Sequence, residues 1–434
     1  MRENIVLQFG KYANYLGTHF WNAQETYFTQ DTQESLIDYH VMYRLNSNKY
    51  GKDVFTPRVL IYDLRNSFGN LGKYMDLYQL QNEDIDEENE LVTEVYQAPK
   101  YPIHPFQFSL GNPHSKVSLS SETITSWSDY NMTKYHPHSL NQLCQYDLYD
   151  ETFNPFHAFD QGKDLFRDLS KENDLFESHF RPFLEECDNI QGLTIFSEIS
   201  NGWGGFACSF LNSIRDEIPK LCIWTFSIDT GMNDDIEALL SMHETSSVLF
   251  ALNKKPDYTS KKFDPSSIWH TSAFHFSAIE SLLIPCHSII NFMSMGDIIP
   301  LINLYSYRKM TYLKINSKDF KSGWLGLKLE NSIESSLEIF RNEKNQKAIS
   351  KIKNSSISTT YCHSTELPSP ASFPSIFNSS ELSFQALTSS LDTKTFLSQK
   401  KKQYIYKNKH KMHNKDDVIN NLDELIEAYT SEYI

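Results

Sequence analysis

Apolar positions in this chain fall into two alternating patterns. Short unbroken runs have strand length, and the stretches between them carry apolar residues at helical spacing. IVLQF (5–9) precedes ANYLGTHFWNAQE (13–25), which predicts a strand and then a helix. PRVLIYDL (57–64) predicts a second buried strand. FRDLSKENDLFESHFRPFLEECDNI (166–190) reads as an amphipathic helix and GLTIFSEI (192–199) as a strand. FACSFLNSIRDEIP (206–219) reads as a helix stopped by Pro219, and LCIWTFSI (221–228) as a strand. DDIEALLSMHETSSVLFAL (234–252) predicts one or two helices, and AIESLLIPCHSIINFMSMGDIIPLI (278–302) a core helix followed by a strand. Strands alternating with helices predict an α/β protein, with a Rossmann-like parallel sheet flanked by helices.

The pattern changes after about residue 305. Residues 354–390 are rich in serine, with prolines at 368, 370 and 374, and read as a loosely ordered connection ending in SFPSIF (372–377). A lysine-rich run, KKKQYIYKNKHKMHNK, follows at 400–415. The last stretch places Val418, Ile419, Leu422, Leu425, Ile426 and Tyr429 on one helical face, which predicts a helix docked on the body. Asp416 and Asp417 stand in its first turn, where the helix dipole favours acids.

Charge and composition narrow the function. The chain has 434 residues, 40% of them apolar, enough for a large core. Its net charge of −15 argues against broad nucleic-acid binding, which needs a basic surface to displace counterions. The acidic run EDIDEENE (83–90) reads as a solvated loop. Cysteines at 144, 187, 208, 222, 286 and 362 show no C-x-x-C spacing and read as thiols of a reducing compartment, with no metal site. The opening residues, with Glu3 among them, lack the features of a secretory signal or a mitochondrial presequence. Glu280, Pro285, His287 and Asp297 interrupt the most apolar region, so no transmembrane segment is expected. The lysine run could meet anionic lipid or nucleic acid, or serve as a solvated linker. The expectation is a linker with peripheral membrane contact open through 400–415 and no direct nucleic-acid partner.

Candidate chemistry centres on two glycine corners. In SEISNGWGGF, Asn201, Gly202, Gly204 and Gly205 stand between a strand and a helix. A helix N-terminus offers unpaired amides and a partial positive charge, and glycines let a phosphate approach. Against this, Trp203 is bulky where a phosphate loop is thin, and Glu198 would repel a phosphate if it pointed inward. The second corner is Gly10-Lys11, where Lys11 could pair with a phosphate or be an ordinary surface lysine. GMNDD (231–235) reads as a capped helix start. His136, His138, His270 and His275 match no H-E-x-x-H motif and read as core or surface residues.

Several stretches resemble tubulins. MRENIVLQFGKYANYLGTHFW (1–21) shares Gln8, Gly10, Asn14, Gly17, Phe20 and Trp21 with tubulin openings. GKDVFTPRVLIYDL, EECDNIQGLTIF and IRDEIP are similar to further tubulin segments. WSDYNMTKYHPHSL (127–140), FHAFDQG (156–162), HTSAFHFSAIESLLIP (270–285) and SFPSIF look instead like the Misato family of tubulin relatives. The resemblance implies a tubulin-like fold in three segments, 1–115, 116–305 and a smaller C-terminal region, 306–434. It implies a non-enzymatic role in mitochondrial distribution and morphology and in the partitioning of the organelle and its DNA. The expected location is the cytoplasm and the outer surface of mitochondria, with cytoskeletal or outer-surface proteins as partners.

The chain departs from tubulin at the groups that handle nucleotide. Tubulin's GGGTGSG becomes SNGWGGF, and its first-loop Gln, Cys and Gly become Lys11, Tyr12 and Ala13. The acid after Asp-Leu becomes Arg65, and no hydrolytic Asn-x-Asp/Glu element appears near 270–300. Hydrolysis needs an oriented water and a metal. The expectation is therefore a vestigial phosphate site at Gly10, Lys11, Asn14, Asn201, Gly202, Gly204 and Gly205, with no metal and no cofactor. Lys11 and Arg65 keep GTP binding open as counter-charges. The alternative is a divergent GTP-binding, polymer-forming cytoskeletal GTPase.

Overall fold

The computed structural model describes residues 2–29, 36–47, 53–69, 71, 102–111, 117–150, 152–231, 236–303, 305–317, 323–331, 333–341, 349–353, 356–376, 382–408 and 415–430. The acidic run at 83–90, residues 232–235 of the expected capped helix start, and residues 409–414 of the lysine run lie outside them.

Strand β1 (Asn4–Phe9) enters α1 (Lys11–Thr29) through Gly10 alone. An antiparallel pair, β2 (Tyr43–Ser47) and β3 (Asp53–Pro57), precedes β4 (Val59–Arg65). Next come α2 (Pro105–Leu110), β5 (Leu140–Asp147), α3 (Phe159–Glu172) and α4 (Arg181–Glu185). The alternation continues through β6 (Gly192–Glu198), α5 (Gly202–Glu217), β7 (Ile223–Asp229), α6 (Ile236–Thr245) and β8 (Val248–Asn253). Helices α7 (Ile268–His287) and α8 (Met295–Ile302) lead to β9 (Met310–Ser317) and the two-residue β10 (Gly323–Trp324). Strands β11 (Ser335–Arg341), β12 (Ile349–Lys353), β13 (Ser356–His363) and β14 (Leu382–Thr388) precede α9 (Ser390–Lys407) and α10 (Lys415–Ala428).

The main sheet runs β12-β13-β11-β14-β9-β8-β7-β6-β1-β4-β5, with β10 on β9. From β8 to β5 all neighbours are parallel. Every residue of β1 and β6 is buried, as expected of strands covered on both faces. β9 continues the sheet in parallel, through Leu249–Met310 and Phe250–Thr311, and the pairing beyond it is mixed. The fold is the α/β one that the sequence predicts, a largely parallel sheet with helices between its strands.

Helix α7 is buried on nearly every side. Its serines remain satisfied by turning back on the helix: Ser277 and Ser281 donate to Ala273 O and Ser277 O at 2.9 and 2.8 Å. Its Glu280, 0% exposed, meets the Arg341 guanidinium from β11 and the Tyr27 hydroxyl from α1. Arg341 also donates to Thr365 O and Glu366 O, both at 2.8 Å, so its hydrogen-bonding capacity is well used. This joint ties α1, α7 and the C-terminal strands together.

Five sequence expectations change. The run 166–190 is broken, because α3 ends at Glu172, capped by Asn173, and a π-helical turn (Phe176–Phe180) precedes α4. The second half of 234–252 is β8: VLFALN is short, apolar and β-prone, which periodicity alone cannot tell from helix. After α7 comes a helix, α8, instead of a strand, started by a capping box in which Asp297 N donates to Ser294 Oγ at 3.2 Å. The serine-rich connection contains β13 and β14, and 372–376 is a strap pinned to the body: Asn22 Nδ2 donates to Ser372 Oγ at 2.8 Å, and Trp269 Nε1 to Ser372 O at 3.2 Å. Finally, the first half of the lysine run is helical. Lys400 binds Asp229 at 3.1 Å, Lys401 binds Asp423, and Tyr404 is buried against α6. The terminal helix docks as expected: Leu422, Leu425 and Tyr429 are buried, and Tyr429 Oη accepts the Met310 amide at 3.0 Å.

Candidate functional site

The strand order reverses around β1, whose neighbours β4 and β6 lie on opposite sides. In open α/β sheets such a switch point leaves a crevice at the carboxyl ends of the strands, where ligands bind. A cavity of about 200 Å³ opens there. It is lined by Lys11 and Tyr12 after β1, Asp63 of β4, Asp147 of β5, Glu198 and Asn201 at the end of β6, Thr230 after β7 and Lys254 after β8. Pockets for drug-sized ligands are roughly 300–1,000 Å³.

Helix α1 begins in the crevice, and its N-terminus already holds a carboxyl group. Tyr12 N donates to Glu198 Oε1 at 2.5 Å, and Asn201 Nδ2 donates to Glu198 Oε2 at 2.7 Å. Burial pushes the Glu198 carboxyl above its ordinary 4.5, while these two donors pull it down. Glu198 therefore points inward and takes the place at this corner that a phosphate oxygen would need. Gly10 is required beside it. Its φ is +97°, and a Cβ there would stand 2.7 Å from the Trp203 ring.

Helix α5 begins on the other side of the crevice with its first amides engaged. Gly202 N donates to Phe156 O at 3.2 Å, Trp203 N to Asn201 Oδ1 at 3.0 Å, and Gly204 N to Asn201 O at 3.1 Å. Phe156 and Trp203 meet edge to face, with ring centres 5.3 Å apart, and Trp203 is only 3% exposed. The glycines serve close packing. A Cβ on Gly205 would lie 1.9 Å from Phe159 O on α3, and one on Gly162 would lie 1.7 Å from Gly202 O. The backbone-accessible face of this loop is thus turned toward α3.

Of the seven candidate positions, Lys11 and Asn201 line the cavity. Gly10, Gly202, Gly204 and Gly205 lie in the packing around it. Asn14 is drawn away: its Nδ2 donates to Asp63 Oδ2 at 2.8 Å and to Tyr62 O at 3.1 Å. Trp127 Nε1 donates to the same Asp63 oxygen at 3.1 Å, and Leu64 N to Asp63 Oδ1 at 2.9 Å. Burial raises the Asp63 carboxyl and these donors oppose it. Arg65, expected as a counter-charge, is exposed and outside the cavity lining; the lysine partnering Lys11 across the crevice is Lys254. His275, behind Tyr12, is neutral, its pKa lowered by burial to about 4. It lies 2.7 Å from the Tyr12 hydroxyl and 3.3 Å from Leu325 O. With Nε2–H donating to the carbonyl, Nδ1 accepts from Tyr12.

The family model for the Misato Segment II tubulin-like domain matches residues 2–112, and that for the tubulin domain matches residues 116–288. The chain is 39% identical over 303 residues to Protein DML1 of Gibberella zeae, covering 66% of this chain and 60% of that one. It is 32% identical over 251 residues to Protein misato of Drosophila melanogaster, covering 50% and 43%. The chain belongs to the Misato family of tubulin relatives. It spans about 60% of the length of the fungal DML1 relative.

The stretches that set Misato apart from tubulin now have positions. FHAFDQG supplies the Phe156 carbonyl and ring that close over Gly202, and Gly162 that admits α5. Its Gln161 accepts from His157 N and Ala158 N at 3.0 and 2.9 Å, fixing the turn into α3. WSDY supplies Trp127, which holds Asp63. HTSAFHF supplies His275 beneath Tyr12. Sequence reasoning missed Phe156, Asn154, His157, Thr230 and Lys254 as cavity residues, although FHAFDQG marked the first and third. Among the described residues, no three His, Cys, Asp or Glu side chains gather as metal ligands, and no helix is long and apolar enough to cross a membrane.

Proposed function

We propose that this Misato protein works without catalysis, as a tubulin-like interaction protein of mitochondrial inheritance. It would govern mitochondrial distribution and morphology and the partitioning of the organelle and its DNA, at the outer mitochondrial surface and in the cytoplasm. Its partners would be cytoskeletal or outer-surface proteins. The mitochondrial assignment rests on what the family resemblance implies, and the relatives' names, DML1 and misato, agree with that family.

One observation carries the non-enzymatic reading. The groups of a tubulin-like corner that would cradle a triphosphate are taken by the chain itself: Glu198 on the α1 amide, Phe156 O and Asn201 on the α5 amides. A triphosphate bound there would have to displace a buried carboxylate and meet it as a like charge.

The second reading, a GTP-binding polymer former, draws on Lys11 and Lys254, which line the crevice without an ion pair among the described residues. Two measurements test the proposal. Protein purified gently should carry no guanine nucleotide and show no GTP turnover with magnesium; stoichiometric GTP, lost in Lys11→Glu, would favour the rival. Depletion in cells should leave daughters lacking mitochondrial DNA, and normal retention would remove the mitochondrial role.

A further inference from the structure

The two edges of the main sheet are built differently. β12, at one edge, is five residues long and contains Lys351 and Lys353. β5, at the other, is eight residues long, and among the described residues it pairs with β4 alone. From Leu140 to Tyr146 it contains no charged residue and no proline. Shortness, lysines and prolines are what keep an open edge from templating a further strand. β12 is short and carries lysines, and β5 has none of these protections along that stretch.

The pairing of β5 with β4 keeps one register from Leu140 to Leu143 and shifts only beyond it, so the first half of the strand offers a regular edge. Gln142 and Cys144 are exposed there. Just past the strand, Tyr149 is 70% and Phe153 89% exposed. The flanks differ in charge: Lys134 and His138 stand exposed before the strand, and Asp147 and Asp150 are half-buried at its end. A strand of a second copy added in parallel would set like flanks side by side. Added antiparallel, it sets the Lys134 end of each copy against the Asp147 end of the other, and like charges stay apart. The neutral stretch between spares the two copies the repulsion that a net charge of −15 otherwise imposes.

We infer that β5 is the seam of a two-fold homodimer, in which the β5 strands of two copies pair antiparallel and join their sheets into one. Such an interface uses the same patch on both copies and closes after two, so it builds a dimer and no filament. Tyr149 and Phe153 of each copy then come to the start of the other's strand, as apolar anchors beside the paired backbone. The inference is independent of whether the crevice binds nucleotide.

The test is light scattering of the full chain behind a sizing column at micromolar concentration, where twice the chain's mass is expected. Opposite side chains of an antiparallel pair share a face, so positions 142 and 144 of both copies gather on one side of the seam. Gln142→Lys with Cys144→Lys should weaken the dimer at least about tenfold, because two lysines from each copy then crowd together. Gln142→Glu with Cys144→Glu should do the same with acids. An equal mixture of the two should restore the dimer, which a misfolded variant could not do. Thr395→Lys with Gln399→Lys, an equal charge change at exposed positions of α9, should leave it intact. A monomeric wild type would overturn the seam, whether the edge stays bare or takes a strand from another protein. So would a lysine pair that remains dimeric, or a mixture that remains monomeric.

Discussion

Glu198 and Glu280 are both buried glutamates, and the chain treats them in opposite ways. Glu280 meets a guanidinium and a phenol at the joint of α1, α7 and β11. Glu198 at the crevice has only an amide and an asparagine as hydrogen-bond donors, with Asp63 and Lys254 as nearby charges of opposite sign. The first is an ion pair that fastens α7 to β11. The second is a carboxyl group lodged where the fold offers positive potential, at a helix start. The comparison teaches that a strand–glycine–helix corner can keep its electrostatic preference while its own side chain meets it. Such a corner retains the look of a phosphate site in sequence and lacks the vacancy.

Breaking the ion pair should have the largest effect. Arg341→Met leaves Glu280 as an uncompensated buried charge, and urea titration should show a loss of about 3–5 kcal/mol. Adding Glu280→Leu should recover much of it, because the lone charge goes with it. No recovery in the double variant would mean that Arg341 matters through Thr365 and Glu366 instead.

A smaller loss tests the network that draws Asn14 from the crevice. Trp127→Phe removes the indole donor to Asp63 and should cost about 1.5–3 kcal/mol, since the acceptor is a carboxylate. An unchanged midpoint would show that Asn14 and Leu64 N suffice.

Glu198 should reveal itself through pH. Its folded pKa lies above the ordinary 4.5, so the folded state binds the proton more tightly than the unfolded state. Stability relative to acid conditions therefore declines as pH rises from about 4.5 through the folded pKa. Glu198→Gln lacks this titration. Melting temperatures of variant and wild type should shift across that window in the variant's favour, and parallel curves would contradict the raised pKa. Least affected should be the surface pairs of α3: Arg167→Ala, next to Asp164 and Asp168, should move stability by under about 0.5 kcal/mol.

The parallel half of the sheet was legible because its strands are continuous apolar runs separated by helical spacing. The readings failed where periodicity carries little information. VLFALN is an apolar run that spacing does not separate from the helix before it, and serine-rich strands such as SISTTYCH lack an apolar signature. Misreading β8 as helix also hid Lys254, which enters the crevice because it follows that strand's end. The glycine loop was legible as a corner, and Trp203 and Glu198 were visible as obstacles. Phe156 was not, since its role depends on α3 lying against α5, a long-range contact that no local pattern encodes.

Tyr429 gives the last helix a practical meaning. Its hydroxyl caps the first amide of β9, and its ring sits in the same hydrophobic cluster as Leu425. A chain cut before Lys415 would open a slot in the core and strip that amide of its acceptor. Truncations that remove this helix would then report on folding.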